Sequence, residues 1–279
     1  MFNEANTVED FIRDLLSGLS ARRVREPRAS YGREHIAQDS TGVGWTYIPT
    51  DQLPRAESDV LVEAHVREAL IALNPEIAEK PDRADEVLYR LRAILLSVSS
   101  DGLVRANEEF TAWLRGERTM PFGPNHQHTT VRLIDFDTIG RNRFVVTTQY
   151  SYRAGQTRRP DLVLLVNGLP LVIGECKTPV RPAVTWVDGA AQIQDDYEVN
   201  IPALFVPNVF SFATEGKTYR FGAIRMPLEL WAPWRDSPLL PVSAERRDGW
   251  PQGRGAGRRS RAFCGSGEGQ LQLPCKRPM

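Results

Sequence analysis

Two acidic residues and a lysine lie at the ends of two apolar segments near the middle of the chain. Asp161 precedes the apolar segment 162–166, and Glu175 and Lys177 follow a second apolar segment, 171–173. Carboxylate oxygens are ligands that Mg²⁺ prefers. An amine beside them can position a water molecule and offset negative charge on a phosphate. These residue types therefore indicate hydrolysis of a phosphodiester bond assisted by a divalent cation.

The turn formers between the two segments, Asn-Gly-Leu-Pro, predict a β-hairpin. A three-residue turn centred on Gly168 places Asp161 directly opposite Glu175, and opposed β-carbons in such a pair lie about 4.5–5.5 Å apart. A two-residue Asn-Gly turn instead shifts the register by one residue, so that the acids meet diagonally. Because strand side chains alternate, Lys177 shares the face of Glu175 whereas Cys176 points to the opposite, buried face.

A second Glu-x-Lys tripeptide occurs at residues 215–217. Its glycine lies between two β-like segments, 209–213 and 219–221, which is typical of a hairpin turn rather than of a metal site. The overlapping segment 211–218 partly matches a phosphate-binding loop, but its first glycine is missing and no helix follows. We therefore expect no nucleotide site in this chain.

The pair Pro160-Asp161, followed by Glu175-Cys176-Lys177, resembles the PD-(D/E)xK nuclease signature. Longer phrases are similar to the N-terminal nuclease domain of the restriction (R) subunit of type I restriction-modification enzymes. They include VRLIDFD, DLVLLVNGLPLVIGECKTP and IPALFVPNVFSFATEGKTYRFG, and the similarity covers roughly residues 40–235. The resemblance implies an α/β fold with a restriction-endonuclease-like core, in which helices flank a mixed central β-sheet, and an N-terminal helical elaboration.

The resemblance also implies roles for individual residues. Asp161 and Glu175 match the metal-binding carboxylates, Lys177 matches the catalytic lysine, and the backbone carbonyl of Cys176 matches a further metal ligand. Glu63 resembles an acid carried by the first core helix of such nucleases, and a solvated glutamate is the alternative interpretation. The implied cofactor is Mg²⁺, whereas ATP is used by motor domains of the family that this chain lacks.

A Gln-x-x-x-Tyr motif of the family, on the helix after the site, is expected to contact DNA. Here Gln192 lies five positions before Tyr197, and Gln194 lies three before it. In a regular α-helix three positions make neighbours, whereas five separate side chains by about 140°. This geometry favours Gln194 as the companion of Tyr197, the family phrase Gln-Ile favours Gln192, and Tyr197 as a core residue is a third interpretation.

The composition indicates a globular protein. Of 279 residues, 41% are hydrophobic and 25% are charged, which allows one substantial core with elaborations. Residues 1–20 contain four acids and no long apolar segment, so neither a secretory signal nor a membrane span is predicted. Three widely spaced cysteines indicate a reducing, cytoplasmic location. By resemblance the expected partners are double-stranded DNA and the methyltransferase and specificity subunits. The expected function is that of a Mg²⁺-dependent endonuclease module, and the alternatives are a non-catalytic DNA-binding or assembly fragment and a stand-alone repair nuclease of the same fold.

The chain divides into three predicted parts. Residues 1–40 hold a helix, 7–19, and a basic segment, and residues 41–235 form the nuclease domain. Residues 236–279 are rich in glycine and arginine and are expected to be disordered, as a truncated motor region. Within the nuclease domain the patterns predict helices at 59–73, 83–97, 103–115 and around 186–197, and strands at 43–48, 131–137 and 144–152.

Overall fold

The computed structural model describes residues 7–18, 44–178 and 183–233. They belong to one compact unit, Met1–Arg235, and a second unit comprises Asp236–Met279. The predicted basic segment after the first helix and the predicted disordered tail lie outside the described residues.

A seven-stranded mixed sheet forms the centre of the described unit. In chain order the strands of the unit are β1 (Thr46–Tyr47), β2 (Thr119–Met120), β3 (Thr129–Thr130), β4 (Phe144–Thr148), β5 (Tyr152–Ala154), β6 (Gln156–Arg158), β7 (Leu162–Val166), β8 (Leu169–Cys176), β9 (Phe210–Thr214), β10 (Tyr219–Gly222) and β11 (Ala232–Pro233). The central order is β1-β4-β7-β8-β9-β10-β11, while β2 pairs with β3 and β5 with β6. The pairs β1–β4 and β8–β9 are parallel, and the other pairs are antiparallel. All of β8 is buried, as expected for the middle of a covered sheet.

Helices flank this sheet. They are α1 (Thr7–Ser17), α2 (Glu63–Leu73), α3 (Pro75–Glu79), α4 (Arg83–Asp101), α5 (Leu103–Leu114), α6 (Trp186–Ala191) and α7 (Pro202–Phe205). Beyond α6 the chain continues through a π-helical segment (Gln192–Tyr197) and one further α-helical turn (Glu198–Asn200), which precedes α7. Short 3₁₀ turns occur at Thr50–Gln52, Pro124–His126, Ile139–Arg141 and Leu228–Leu230. Within the described ranges, the helices are too short or too polar to cross a membrane.

The predicted helices are confirmed, with shifts at their ends. The two largest shifts are four residues each: α2 begins at Glu63 rather than at residue 59, and α4 ends at Asp101 rather than at residue 97. The backbone N–H of Val62 donates to the carbonyl of Gly168 at 2.9 Å, so the residues before α2 are tied to the β7–β8 turn. This tertiary contact therefore competes with the helical pattern of residues 59–62.

The strand predicted at residues 131–137 is wrong, because this segment contains no strand. Its side chains do alternate, with Val131 and Leu133 buried, which explains the pattern. Side-chain amides take the place of a neighbouring strand: Asn167 Nδ2 donates to the carbonyl of Leu133 at 2.9 Å. The N–H of Asp135 likewise donates to Oδ1 of Asn142 at 2.9 Å. Backbone groups satisfied in this way need no ladder.

The strand predicted at residues 144–152 is interrupted. β4 ends at Thr148, and Gln149 has a φ of 53°, in the left-handed region. Such a conformation is uncommon for a residue other than glycine. The chain resumes an extended path in β5, which pairs with β6 outside the central sheet. The break therefore leaves Gln149 at the end of β4, next to the start of β7.

Candidate active site

The β7–β8 hairpin contains both of the registers considered from the sequence. Asn167 and Gly168 form a two-residue turn with φ angles of 53° and 85°, and the adjacent pairs Leu165↔Pro170 and Val166↔Leu169 sum to 335. A bulge between Leu164 and Leu165 then shifts the register, so that Leu162 opposes Gly174 with a sum of 336. Continued by one residue, this register places Asp161 opposite Glu175, as a three-residue turn would have done.

Both oxygens of the Asp161 carboxylate accept hydrogen bonds. The backbone N–H of Cys176 donates to Oδ2 at 2.8 Å, and Nε2 of Gln149 donates to Oδ1 at 3.1 Å. The carbonyl of Asp161 accepts from the N–H of Gln149 at 2.8 Å. Contacts from two neighbouring strands thus fix the orientation of this carboxylate.

Glu175 and Lys177 belong to a closed ring of hydrogen bonds with two residues of the helix that begins at α6. Nζ of Lys177 donates to Oε1 of Glu175 at 2.9 Å and to Oε1 of Gln192 at 2.5 Å. Nε2 of Gln192 donates to the hydroxyl of Tyr197 at 2.5 Å. That hydroxyl donates in turn to Oε2 of Glu175 at 3.2 Å, which closes the ring.

Burial dominates the electrostatics of this ring. Glu175 is only 3% exposed, and burial together with the nearby charge of Asp161 raises its pKa to about 7. Hydrogen bonds from Lys177 and Tyr197 act in the opposite direction, because they stabilise the carboxylate. Burial also raises the pKa of the Tyr197 hydroxyl above its ordinary value. Tyr197 therefore remains a neutral donor to Glu175.

The π-helical segment explains why Gln192 reaches Tyr197. In a π-helix the backbone hydrogen bonds join residues five positions apart, so Gln192 and Tyr197 become neighbours. The expectation that Gln194 is the companion of Tyr197, which assumed a regular α-helix, is wrong. Gln194 instead donates to the carbonyl of Met226.

Local contacts hold the helix against the sheet. Gly189 allows close approach, because a β-carbon there would lie 3.2 Å from Cβ of Ala213 and 3.5 Å from Cγ of Glu175. Thr185 caps α6, with its N–H donating to Oδ2 of Asp188 at 2.7 Å. The side chains of Gln192 and Tyr197 are thereby placed over Glu175.

Glu215, from the second Glu-x-Lys tripeptide, also contacts the start of this helix. Its Oε2 accepts from the N–H of Trp186 at 3.1 Å, and its Oε1 accepts from the N–H of Thr218 at 2.9 Å. A carboxylate at a helix N-terminus is favourable. Residues 215–218 connect β9 to β10, so the predicted hairpin turn is confirmed. The tripeptide supports the helix and the turn.

A further acid, Glu9 of α1, contacts the site and was not singled out from the sequence. Oε2 of Glu9 accepts from Nε2 of Gln149 at 2.8 Å, and this amide also contacts Asp161. Glu9 is 4% exposed, and burial raises its pKa to about 7. Its position beside the stripe of Val8 and Ile12, which packs on the core, was the available signal: an acid on the apolar side of an amphipathic helix.

Glu63, the additional acid considered from the sequence, forms its contacts outside the ring and the Asp161 contacts. It lies in the first turn of α2, where it forms an ion pair with Arg92 of α4. Its side chain is 34% exposed. Its hydrogen bonds involve none of the residues of the ring or of the Asp161 contacts.

The donor set at the hairpin suits a hard cation. Asp161 and Glu175 supply carboxylate oxygens, although no group of three or more His, Cys, Asp and Glu side chains in the described parts of the chain is arranged to hold a metal. The N–H of Cys176 points toward Asp161. Because the N–H and C=O of one strand residue point to the same side, its carbonyl oxygen faces Asp161 as well. All three groups offer oxygen, which fits Mg²⁺.

A mixed sheet flanked by helices, with two carboxylates and a lysine at adjacent strand ends, defines a nuclease-like core. Residues 31–229 match the family model described as type I restriction enzyme R protein N terminus, so the chain belongs to this family.

Two relatives illustrate the similarity. The type I restriction enzyme HindI endonuclease subunit of Haemophilus influenzae is 32% identical over 205 residues, which cover 69% of this chain and 19% of that protein. The putative type I restriction enzyme MjaIXP endonuclease subunit of Methanocaldococcus jannaschii is 29% identical over 127 residues, or 43% of this chain and 12% of that protein. The chain thus matches about a fifth or less of the length of these relatives.

Proposed function

We propose that this chain is a Mg²⁺-dependent endonuclease module of a type I restriction enzyme R subunit, which hydrolyses phosphodiester bonds of double-stranded DNA. The observation that carries the proposal is that Asp161, Glu175 and Lys177 meet at the adjacent ends of β7 and β8. Lys177 donates to Glu175, and Asp161 accepts from the N–H of Cys176 between them. Membership of the restriction-subunit family supports the choice of DNA as the substrate.

Each residue has a distinct part in the proposed mechanism. Asp161, Glu175 and the carbonyl of Cys176 would hold Mg²⁺, which supplies positive charge beside the scissile phosphate when it is bound. Lys177 lies within hydrogen-bond reach of Glu175, so its amine would orient the attacking water and stabilise negative charge on the phosphate oxygens. Glu9 would add a third carboxylate near Asp161.

Gln192 and Tyr197 contact residues of the site, so their proposed role is to position those residues. Tyr197 is 3% exposed, and its hydroxyl is used by Glu175 and Gln192. Gln192 accepts from the amine of Lys177. We propose that this pair orients Glu175 and Lys177. The DNA contact expected for Gln192, Gln194 and Tyr197 stays a prediction.

The charge distribution limits how DNA can approach. The described residues contain 27 Asp and Glu against 20 Lys and Arg, which leaves a formal charge of −7. Most phosphate affinity must then come from a few local cations. Arg159, two residues before Asp161, is exposed and has no ion-pair partner among the described residues, and the same holds for Lys217 after β9. We propose that both contact phosphates.

The family indicates the setting of this activity. The relatives are named as endonuclease subunits of type I restriction enzymes. We propose a cytoplasmic location and assembly with the methyltransferase and specificity subunits. ATP would be needed only where the motor domains of a complete R subunit are present.

The test uses the purified full chain with supercoiled plasmid and Mg²⁺. We expect the wild-type protein to nick or linearise the plasmid, EDTA to stop the reaction, and Lys177→Ala to lower the rate by about 100-fold or more. Lys80→Ala removes an exposed lysine at the end of α3 and serves as the matched control, with an unchanged rate. Equal cutting by wild type and Lys177→Ala would exclude this site as the source of the cleavage. Absence of cutting by every protein would favour a non-catalytic role as an assembly or DNA-binding fragment.

A further inference from the structure

Gln149 is the point where two strands and α1 meet beside the proposed cation site. It directly follows β4, and the β4–β7 register pairs Thr148 with Leu162. Continued by one residue, this register places Gln149 opposite Asp161, and the N–H of Gln149 donates to the carbonyl of Asp161 at 2.8 Å. The ladder between β4 and β7 therefore extends to the acid itself.

The side-chain amide of Gln149 joins two carboxylates. Nε2 donates to Oε2 of Glu9 at 2.8 Å and to Oδ1 of Asp161 at 3.1 Å, so both of its hydrogens are used. Two carboxylates this close repel each other, and the two donors offset that repulsion. An arginine or lysine could also donate to both carboxylates, but its positive charge would repel a bound cation. The amide is neutral.

The backbone at Gln149 indicates that this side chain is needed. Its φ of 53° lies in the left-handed region, which glycine adopts without strain and asparagine tolerates better than glutamine. If the position served only to turn the chain between β4 and β5, glycine would serve it at lower cost. A strained residue that places its side chain between two acids points to a requirement for the side chain.

We propose that Gln149 is a positioning residue of the cation site, whose amide orients the Asp161 carboxylate and couples Glu9 of α1 to it. This inference rests on the proposed function, because it concerns how that site is prepared for Mg²⁺. Glu9 is carried by a helix that reaches the sheet from a distant part of the chain. The amide links that helix to the strand bearing Asp161.

Three substitutions of Gln149 separate the role of the amide from that of the backbone. Gln149→Gly removes the amide and relieves the strain, Gln149→Asn keeps an amide that is one methylene too short, and Gln149→Met matches the length without donors. Asn125→Gly is the matched control, because Asn125 is another left-handed residue, with a φ of 52°, in a loop that shares no hydrogen bond with the site.

Two quantities are measured. Electron paramagnetic resonance monitors the binding of Mn²⁺ alone to the full chain, and thermal unfolding gives the melting temperature. We expect the dissociation constant for Mn²⁺ to rise at least tenfold in all three Gln149 variants and to stay unchanged in Asn125→Gly. Gln149→Gly is expected to melt above Gln149→Met, because both lose the two donors and only glycine relieves the backbone strain. In plasmid cleavage, the variants should need more Mg²⁺ for half-maximal rate and should approach the wild-type rate at saturating Mg²⁺.

The outcomes distinguish this inference from the function on which it rests. Wild-type affinity for Mn²⁺ in Gln149→Gly would overturn the positioning role and leave the nuclease proposal intact. A wild-type protein that binds no Mn²⁺ would overturn both. A loss of Mn²⁺ affinity that only follows the loss of melting temperature across the three variants would show that the residue is structural and would also reject the inference.

Discussion

Gln192 and Tyr197 lie five positions apart in the sequence, yet Nε2 of Gln192 donates to the Tyr197 hydroxyl at 2.5 Å. The π-helical segment between them makes this contact. A π turn accommodates one more residue than the corresponding α-helical turn, so its ends can keep their partners on the sheet. In this chain those partners are Lys177 and Glu175, which contact Gln192 and Tyr197 respectively.

Deleting Asp195, which is exposed within the π-helical segment, is therefore expected to convert it to regular α-helix and leave the protein folded. Gln192 and Tyr197 would then lie four positions apart, which also makes them neighbours. We expect the melting temperature to change little and the cleavage rate to stay within about threefold of wild type, given typical hydrogen-bond energies.

Deletion of exposed Leu96 from α4 is the control, because it lies in a regular α-helix. Losing one residue there rotates the following part of the helix by about 100°, so buried residues turn away from the core. A marked fall in melting temperature is expected. Equal destabilisation by the two deletions would contradict the account of the π-helical segment.

Glu9 and Glu63 provide a second test. Glu9→Gln is expected to lower the plasmid cleavage rate by more than tenfold, because Glu9 shares the Gln149 amide with Asp161. Glu63→Gln is expected to leave the rate unchanged and to cost less than about 1 kcal/mol of stability, since exposed ion pairs contribute little. A larger loss of activity in Glu63→Gln than in Glu9→Gln would reverse the assignment.

Gly168 and Gly155 test the hairpin turn. Both have a φ of 85°, so alanine is strained at either position. A β-carbon at Gly168 would also lie 2.5 Å from the carbonyl oxygen of Val62, whereas nothing lies within 4 Å at Gly155. We expect Gly155→Ala to cost about 1 kcal/mol and Gly168→Ala to cost about 3 kcal/mol or more in denaturant unfolding. Similar losses would show that the contact with Val62 is not made in solution.

Glu198, which is 1% exposed, contributes to the pH dependence of stability. Burial raises its pKa from 4.5 to about 7, although its carboxylate accepts from the N–H of Arg225 at 3.1 Å. The folded protein therefore holds a proton that the unfolded chain releases, and the free energy of unfolding falls as the pH rises from about 4.5 to about 7. Above that window the stability from this proton is lost.

Glu198→Gln should flatten this fall, by at most about 1.4 kcal/mol per pH unit. Melting temperatures measured with EDTA between about pH 5 and pH 8 provide the test. Glu9 and Glu175 titrate in both proteins, so the variant keeps part of the fall. Wild type falls more steeply because Glu198 titrates only there. Parallel curves would mean that Glu198 does not titrate as stated.

The sequence predicted the sheet hairpin well because its signals are local. The apolar segment of β7, the Asn-Gly turn and the acids at the strand ends all lie within about 17 residues. The register Leu162↔Gly174, continued by one residue, places Asp161 opposite Glu175. The sequence left two turn lengths open, since the bulge that reconciles them depends on packing of β8 inside the sheet.

The parts that the sequence missed depend on distant contacts. Glu9 approaches Gln149 across 140 positions, and no local pattern encodes that approach. The segment 131–137 alternates like a strand, but amides of Asn142 and Asn167 satisfy its backbone. Both ends of the π-helical segment contact residues at the end of β8, and local propensity does not register such contacts.

The helix that carries Glu9 has a practical consequence for anyone excising this domain. The family match begins at residue 31, whereas α1 spans Thr7–Ser17. A recombinant fragment trimmed to the matched range would still display Asp161, Glu175 and Lys177, and it would look complete by alignment. It would nevertheless lack one carboxylate and the cover over β4, so a failure of such a fragment to cut DNA would say nothing about the intact domain.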